Sequence, residues 1–158
     1  MRKKKPRSSR KRRLDAHRHD ALARAEVPKP DLVLVLDRIR SMHNVGSIFR
    51  TADGFGVREL VLGGFTPAPP RPEISKTALG ADEVVPFRCV ADPKVAVLQL
   101  RAAGATVVAL EQTHDSRSIY EFEFPTPLAL VLGHETEGVD DELLDFVDAA
   151  VEIPMLGS

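Results

Sequence analysis

The chain has 158 residues, 43% of them hydrophobic and 28% charged, with a formal net charge of −1. This is the composition of one ordinary globular domain with a real core. No apolar run approaches the roughly 20 residues a bilayer requires, and the first residues are charged where a secretory leader is hydrophobic, so a cytoplasmic protein without a membrane partner is expected. A single cysteine, Cys89, argues against disulfides and thiolate zinc sites, and its place in a strand-like run predicts a buried structural thiol.

The near-neutral total conceals an asymmetry. Residues 1–18 carry ten basic side chains (Arg2, Lys3, Lys4, Lys5, Arg7, Arg10, Lys11, Arg12, Arg13 and Arg18) against Asp15 alone, which leaves 12 of the 22 Lys/Arg to face 22 of the 23 Asp/Glu elsewhere. Like charges at that density repel, and almost nothing apolar accompanies them, so this extension is expected to lack fixed structure when free. A polyphosphate is its natural counterion. Residues from Arg2 to Arg13 are therefore the expected nucleic-acid contacts, with salt-sensitive and sequence-independent affinity.

Leu14 to Ala25 has helix-forming composition, and Pro28 and Pro30 close it with a linker. Residues 1–30 thus read as an extension and 31–158 as the folded domain. From there, apolar runs of strand length alternate with helical segments. Strands are predicted at 32–36, 59–62, 84–87, 105–110, 128–132 and 149–153; helices at 45–55, 74–79, 93–103 and 140–147. Pro86 favours a sheet edge for the third strand. Several strands are continuously apolar, which predicts burial on both faces in a mostly parallel sheet flanked by helices, an α/β fold.

Open α/β sheets bind ligands beyond the carboxyl ends of their strands, so the segments that follow strands carry the candidates. After the first strand comes Asn44-Val45-Gly46-Ser47-Ile48-Phe49-Arg50-Thr51-Ala52. Asn44 is placed to cap a helix, and Arg50, six positions on, falls on another side of it. After the 128–132 strand comes Gly133-His134-Glu135-Thr136-Glu137-Gly138, where glycines bracket a polar turn and Glu135 can accept hydrogen bonds. Val151 to Ser158 is a strand breaking into a Pro/Gly turn. Neither a dinucleotide Gly-x-Gly-x-x-Gly nor a P-loop occurs, so NAD, FAD and ATP lack their usual support. No metal site is expected: Asp140, Asp141 and Glu142 are explained by capping at a helix N-terminus. His43, His114 and His134 have no nucleophile beside them.

In order and spacing these segments resemble the motifs of the SpoU-type RNA methyltransferases of the SPOUT superfamily. The first family motif is matched by 44–52, the second by 130–138 and the beginning of the third by Ile153-Pro154-Met155-Leu156-Gly157; Pro72 to Ala81 resembles a further family segment. The resemblance implies an α/β-knot fold and S-adenosylmethionine-dependent methylation of a ribose 2′-hydroxyl in tRNA or rRNA by a homodimer. It assigns catalysis to Asn44, Arg50 and Glu135, and places Leu110, Gly133, Ile153 and Met155 against the cofactor. Family members continue past the Ile-Pro-Met turn into a Ser-Leu-Asn-Val-Ser-like segment and a final helix that form the knot. This chain ends at Ser158, so the knot-forming segment is expected to be missing and cofactor binding by 1–158 to be weak. The alternative is a non-catalytic RNA-binding protein or an inactive methyltransferase-like chain.

Overall fold

The computed structural model describes residues 28–155 and 157. The basic residues Arg2 to Arg18 and the helix expected over Leu14 to Ala25 lie outside the described residues.

Seven strands, β1 (Leu32–Asp37), β2 (Glu59–Gly63), β3 (Phe87–Val90), β4 (Thr106–Leu110), β5 (Arg117–Ser118), β6 (Leu128–Leu132) and β7 (Ala149–Glu152), form one sheet in the order β3-β2-β1-β6-β4-β7-β5. Every pairing is parallel. The helices are α1 (Met42–Phe55), α2 (Pro72–Ala78), α3 (Pro93–Ala102) and α4 (Asp141–Leu144), with a 3₁₀ turn over Ala81–Glu83. No described helix is long and apolar enough to cross a membrane.

The continuous apolar runs work because the pleat sends alternate residues to opposite faces. Leu34, Leu36, Leu60 and Leu62 pack with Val45, Phe49 and Ala52 of α1 and Ile74 and Ala78 of α2. Val33, Val35, Val61, Val107, Ala109, Ala129 and Val131 pack on the other face with Ala96, Val97 and Leu100 of α3 and Leu143 of α4. Phe49 is completely buried and meets Phe87 edge-on at 5.5 Å. Truncating such a ring to alanine costs about 3–5 kcal/mol, so α1 is firmly fixed to the sheet.

Five details depart from the sequence expectations. Ser41, not Asn44, caps α1: its hydroxyl accepts from the Asn44 N–H, and Asn44 lies within the first turn. The third strand starts after Pro86, whose carbonyl accepts from Leu60 N at 2.9 Å; it is an edge strand as expected. Cys89 is exposed rather than buried, because an edge strand has only one lateral neighbour to cover it. The helix expected over 140–147 is only the single turn α4, and the chain then uses the Asp148 carboxylate to accept from Val107 N at 2.8 Å. Two-residue β5 has no apolar pattern, so no periodicity announced it.

Candidate active site

β6 lies between β1 and β4, so segments distant in sequence follow adjacent strand ends. The loop leaving β1 is pinned on two sides. Arg38, in the left-handed region at φ 55, donates to buried Asp37 at 3.2 Å and pairs with Asp140 at 3.0 Å. The Ile39 N–H donates to the hydroxyl of Thr66, which is only 7% exposed and itself donates to Gly63 O at 2.7 Å. The loop then offers the free N–H groups of Arg40 and Ser41 at the entrance to α1, whose first turn contains no acidic residue.

Glu135 supplies that missing charge from the far side of the crevice. Its Oε2 accepts from Arg40 N at 3.1 Å, and its Oε1 accepts from Ser41 N at 3.0 Å and from Asn44 Nδ2 at 3.0 Å. A carboxylate at a helix N-terminus satisfies orphan donors and complements the helix dipole. Burial works against ionisation, but the hydrogen bonds from Ser41, from its own N–H, from Arg40 and from Asn44 outweigh it and lower the Glu135 pKa to about 2. The carboxylate is therefore an acceptor that holds the loop, and a poor proton acceptor for chemistry near neutral pH.

The turn presenting Glu135 closes on itself. His134 and Gly138 exchange two backbone hydrogen bonds of 2.9 Å, and His134 Nδ1 accepts from the N–H groups of Thr136 and Glu137 at 3.3 Å. A Cβ at Gly133 would stand 2.2 Å from the backbone of Gly138 and Val139. At Gly138, whose φ is +73, a Cβ would stand 2.3 Å from the Glu111 carboxylate that accepts from Val139 N. Both glycines are required for the turn to close this tightly.

The structure brings Asn44 and Glu135 into contact and leaves Arg50 apart from both. Arg50 lies six residues along α1, about 120° round the helix. It is exposed and lines a groove of about 660 Å³ with Ser47, Thr51, Phe55, Lys76 and Leu79. It makes no ion pair among the described residues. Leu110, Gly133, Ile153 and Met155 fall at or just beyond the carboxyl ends of the neighbouring strands β4, β6 and β7. Leu110 is in register with both Leu132 and Val151. Ile153 is 46% and Met155 74% exposed, apolar surface just beyond the end of β7. Among the described residues no cluster of His, Cys, Asp and Glu is arranged to hold a metal ion. Asp140 caps α4 by accepting from Glu142 N at 2.9 Å.

Sequence reasoning missed Thr66 and the backbone donors of Arg40 and Ser41. A buried threonine after a strand leaves no periodic signal, and backbone groups leave none at all.

Residues 31–158 match the model of the SpoU rRNA methylase family. The chain is 38% identical over 141 residues to a 23S rRNA (guanosine-2′-O-)-methyltransferase, RlmB, of Vibrio parahaemolyticus, covering 88% of this chain and 55% of that protein. It is 34% identical over 129 residues to a tRNA (guanosine(18)-2′-O)-methyltransferase of Thermus thermophilus, covering 82% and 66%. Among solved structures, the SpoU methyltransferase AviRb of Streptomyces viridochromogenes in complex with AdoMet superposes with a TM-score of 0.73 at 31% identity, over 88% of this chain and 56% of that one. An AdoMet-bound rRNA methyltransferase of Sinorhizobium meliloti gives 0.75 at 30% identity, over 82% and 49%. The chain thus spans about half to two thirds of the length of these relatives. With the family match running over 31–158 and the motif residues gathered at the carboxyl ends of β1, β6, β4 and β7, the chain belongs to the SpoU rRNA methylase family.

Proposed function

We propose that the natural protein containing this domain transfers a methyl group from S-adenosylmethionine to a ribose 2′-hydroxyl of tRNA or rRNA. The observation that carries the reading is the Asn44–Glu135 contact. The carboxylate can only accept, so the Asn44 amide must turn its NH₂ toward Glu135 and its Oδ1 away. That oxygen is a preset acceptor for a hydroxyl. The curated relatives named as 2′-O-methyltransferases of rRNA and tRNA guanosine support the same chemistry.

The donor set fits the cofactor. Leu110, Ile153 and Met155 offer apolar surface of the kind an adenine needs, and Gly133, whose Cβ position is taken by the Gly138–Val139 backbone, keeps the turn beside them tight. When bound, S-adenosylmethionine supplies an electrophilic methyl on a sulfonium. Asn44 orients the hydroxyl, and much of the rate comes from that alignment. Arg50, in the separate α1–α2 groove, stays protonated and is assigned to a substrate phosphate rather than to the ribose oxygen that Asn44 orients, while the hydroxyl proton leaves to water. Glu135 holds the loop and Asn44 in place. The basic residues Arg2, Lys3, Lys4, Lys5, Arg7, Arg10, Lys11, Arg12 and Arg13 add phosphate affinity. We assign the α1–α2 groove rim, where Phe55 is 72% and Leu79 54% exposed, to pairing with a second copy of the chain.

Incubating the natural protein with unmodified tRNA and rRNA transcripts and methyl-labelled S-adenosylmethionine tests this. The expected product is a 2′-O-methylnucleoside after nuclease digestion, formed much more slowly by Asn44→Ala and Arg50→Ala. Absence of label in every RNA, from a protein that still binds RNA, would leave the non-catalytic RNA-binding reading in its place.

A further inference from the structure

The loop after β2 carries a feature that neither the motifs nor the proposed chemistry uses. Phe65 is 59% exposed, although a phenylalanine gains about 1.5–3 kcal/mol from full burial. It is not exposed by looseness. Its neighbour Thr66 is buried, with its hydroxyl shared among Ile39 N, Gly63 O and Leu36 O, and Gly64, in the left-handed region, donates to Val90 O at 3.0 Å. The backbone on both sides of the ring is therefore tied to β1, β2 and β3. The ring meets His134 at 6.2 Å with an interplanar angle of 79°. One edge-to-face contact covers at most one face of Phe65, so the other faces solvent.

His134 immediately precedes Glu135, so this aromatic pair stands at the rim of the crevice that holds Asn44. On the loop that Glu135 anchors, the side chain of Arg40 is exposed and has no ion pair among the described residues, while its N–H is committed to Glu135. A rigid open aromatic face with an unpaired guanidinium on the loop joined to it through His134 and Glu135 is a combination that can receive an unpaired nucleotide: the base stacks on the ring and a nearby phosphate pairs with the cation.

We infer that Phe65, backed by His134, is a stacking platform for an unpaired base of the RNA substrate, and that Arg40 pairs with the phosphate next to it. The inference rests on the RNA methyltransferase reading for the identity of the ligand. Phe65 and Arg40 position the substrate and touch neither the methyl donor nor the reacting oxygen.

Titrating the natural protein with a fluorescent single-stranded RNA by anisotropy, in parallel with methyl-transfer kinetics, tests it. Phe65→Ala and Phe65→Leu are expected to weaken RNA binding about tenfold and to raise KM for RNA with little change in kcat. Phe65→Tyr should retain wild-type binding, because the face is preserved. Arg40→Ala should weaken binding and flatten its salt dependence. Thermal midpoints should not move, since the ring is exposed. RNA affinity within twofold of wild type in Phe65→Ala overturns the inference, as does Phe65→Leu binding like wild type, which would indicate plain apolar contact. A change in oligomeric state in Phe65→Ala also overturns it, because the ring would then lie between copies. If the wild-type protein transfers no methyl group yet Phe65→Ala loses RNA binding, the activity reading fails and the platform stands.

Discussion

Asn44 Nδ2 donates to Glu135 Oε1 at 3.0 Å across 91 residues of sequence, and the same carboxylate accepts the N–H groups of Arg40 and Ser41. One side chain thus orders the entrance to α1 and fixes which end of the Asn44 amide faces the crevice. Replacing Glu135 with glutamine sets an NH₂ against donors it cannot accept from. Methyl transfer by Glu135→Gln should fall about 100-fold, the effect of a misplacement of roughly 1 Å in a positioning group. Comparing kcat for Asn44→Ala, Glu135→Gln and the double variant checks the coupling: the double loss should be well short of the product of the single losses.

Acid should leave this anchor intact over an unusual range. The Glu135 pKa of about 2 lies below its ordinary value of 4.5. Burial opposes that shift, and the donors from Ser41, Arg40 and Asn44 produce it. A depressed acidic pKa means the unfolded chain takes up the proton more readily than the folded one. The stabilising contribution is therefore complete above about 4.5 and is lost only as pH falls toward 2. A side-chain carboxyl NMR titration of Glu135 should show no protonation between pH 5 and 9. Any acid limb of activity in that range should persist in kcat profiles of Asn44→Ala.

Gly46 tests the seat of α1. A Cβ there would stand 2.1 Å from Thr77 Oγ1 and 2.3 Å from the Ile74 carbonyl. Gly46→Ala must separate α1 from α2, at a cost of about 1–3 kcal/mol measurable by chemical denaturation. Adding Thr77→Ala should not rescue it, because the Ile74 carbonyl is backbone and cannot be trimmed.

Thr66→Val keeps the volume and removes the hydroxyl that accepts from Ile39 N at 3.0 Å. A buried N–H left without a partner costs about 1–3 kcal/mol. The variant should lose that much stability by equilibrium unfolding. It should also lose methyl transfer, since Ile39 leads directly to the Arg40 and Ser41 donors.

The sheet was legible because strands such as Leu32–Asp37 and Leu128–Leu132 are apolar on both faces, and that pattern belongs to covered parallel sheets. Asn44, Arg50 and Glu135 could be picked out by their neighbours in the motifs. What the residues could not disclose is how they meet. Asn44 looks like a cap because it is an asparagine before an apolar run, but Ser41 wins the position because its backbone is already extended, at φ −76 and ψ 115, when the helix begins. Arg50 stays on its own groove because α1 is regular through that region and six residues do not return to the same side. Cys89 followed the apolar character of its run, although Pro86 had already marked that run as an edge, where the thiol is exposed.

The central place of β6 also bears on how the molecule comes into being. Its partners on either side, β1 and β4, are complete long before it emerges in the order of synthesis, and until Leu128–Leu132 arrives each presents an unclosed ladder of N–H and C=O groups to whatever is nearby. A nascent chain that ends before Leu132 has no route to the crevice where Asn44 and Glu135 meet, however well its first helices have formed. Folding must wait for a distant insertion, a topology that slows the search and leaves the half-made sheet vulnerable to pairing with the wrong neighbour.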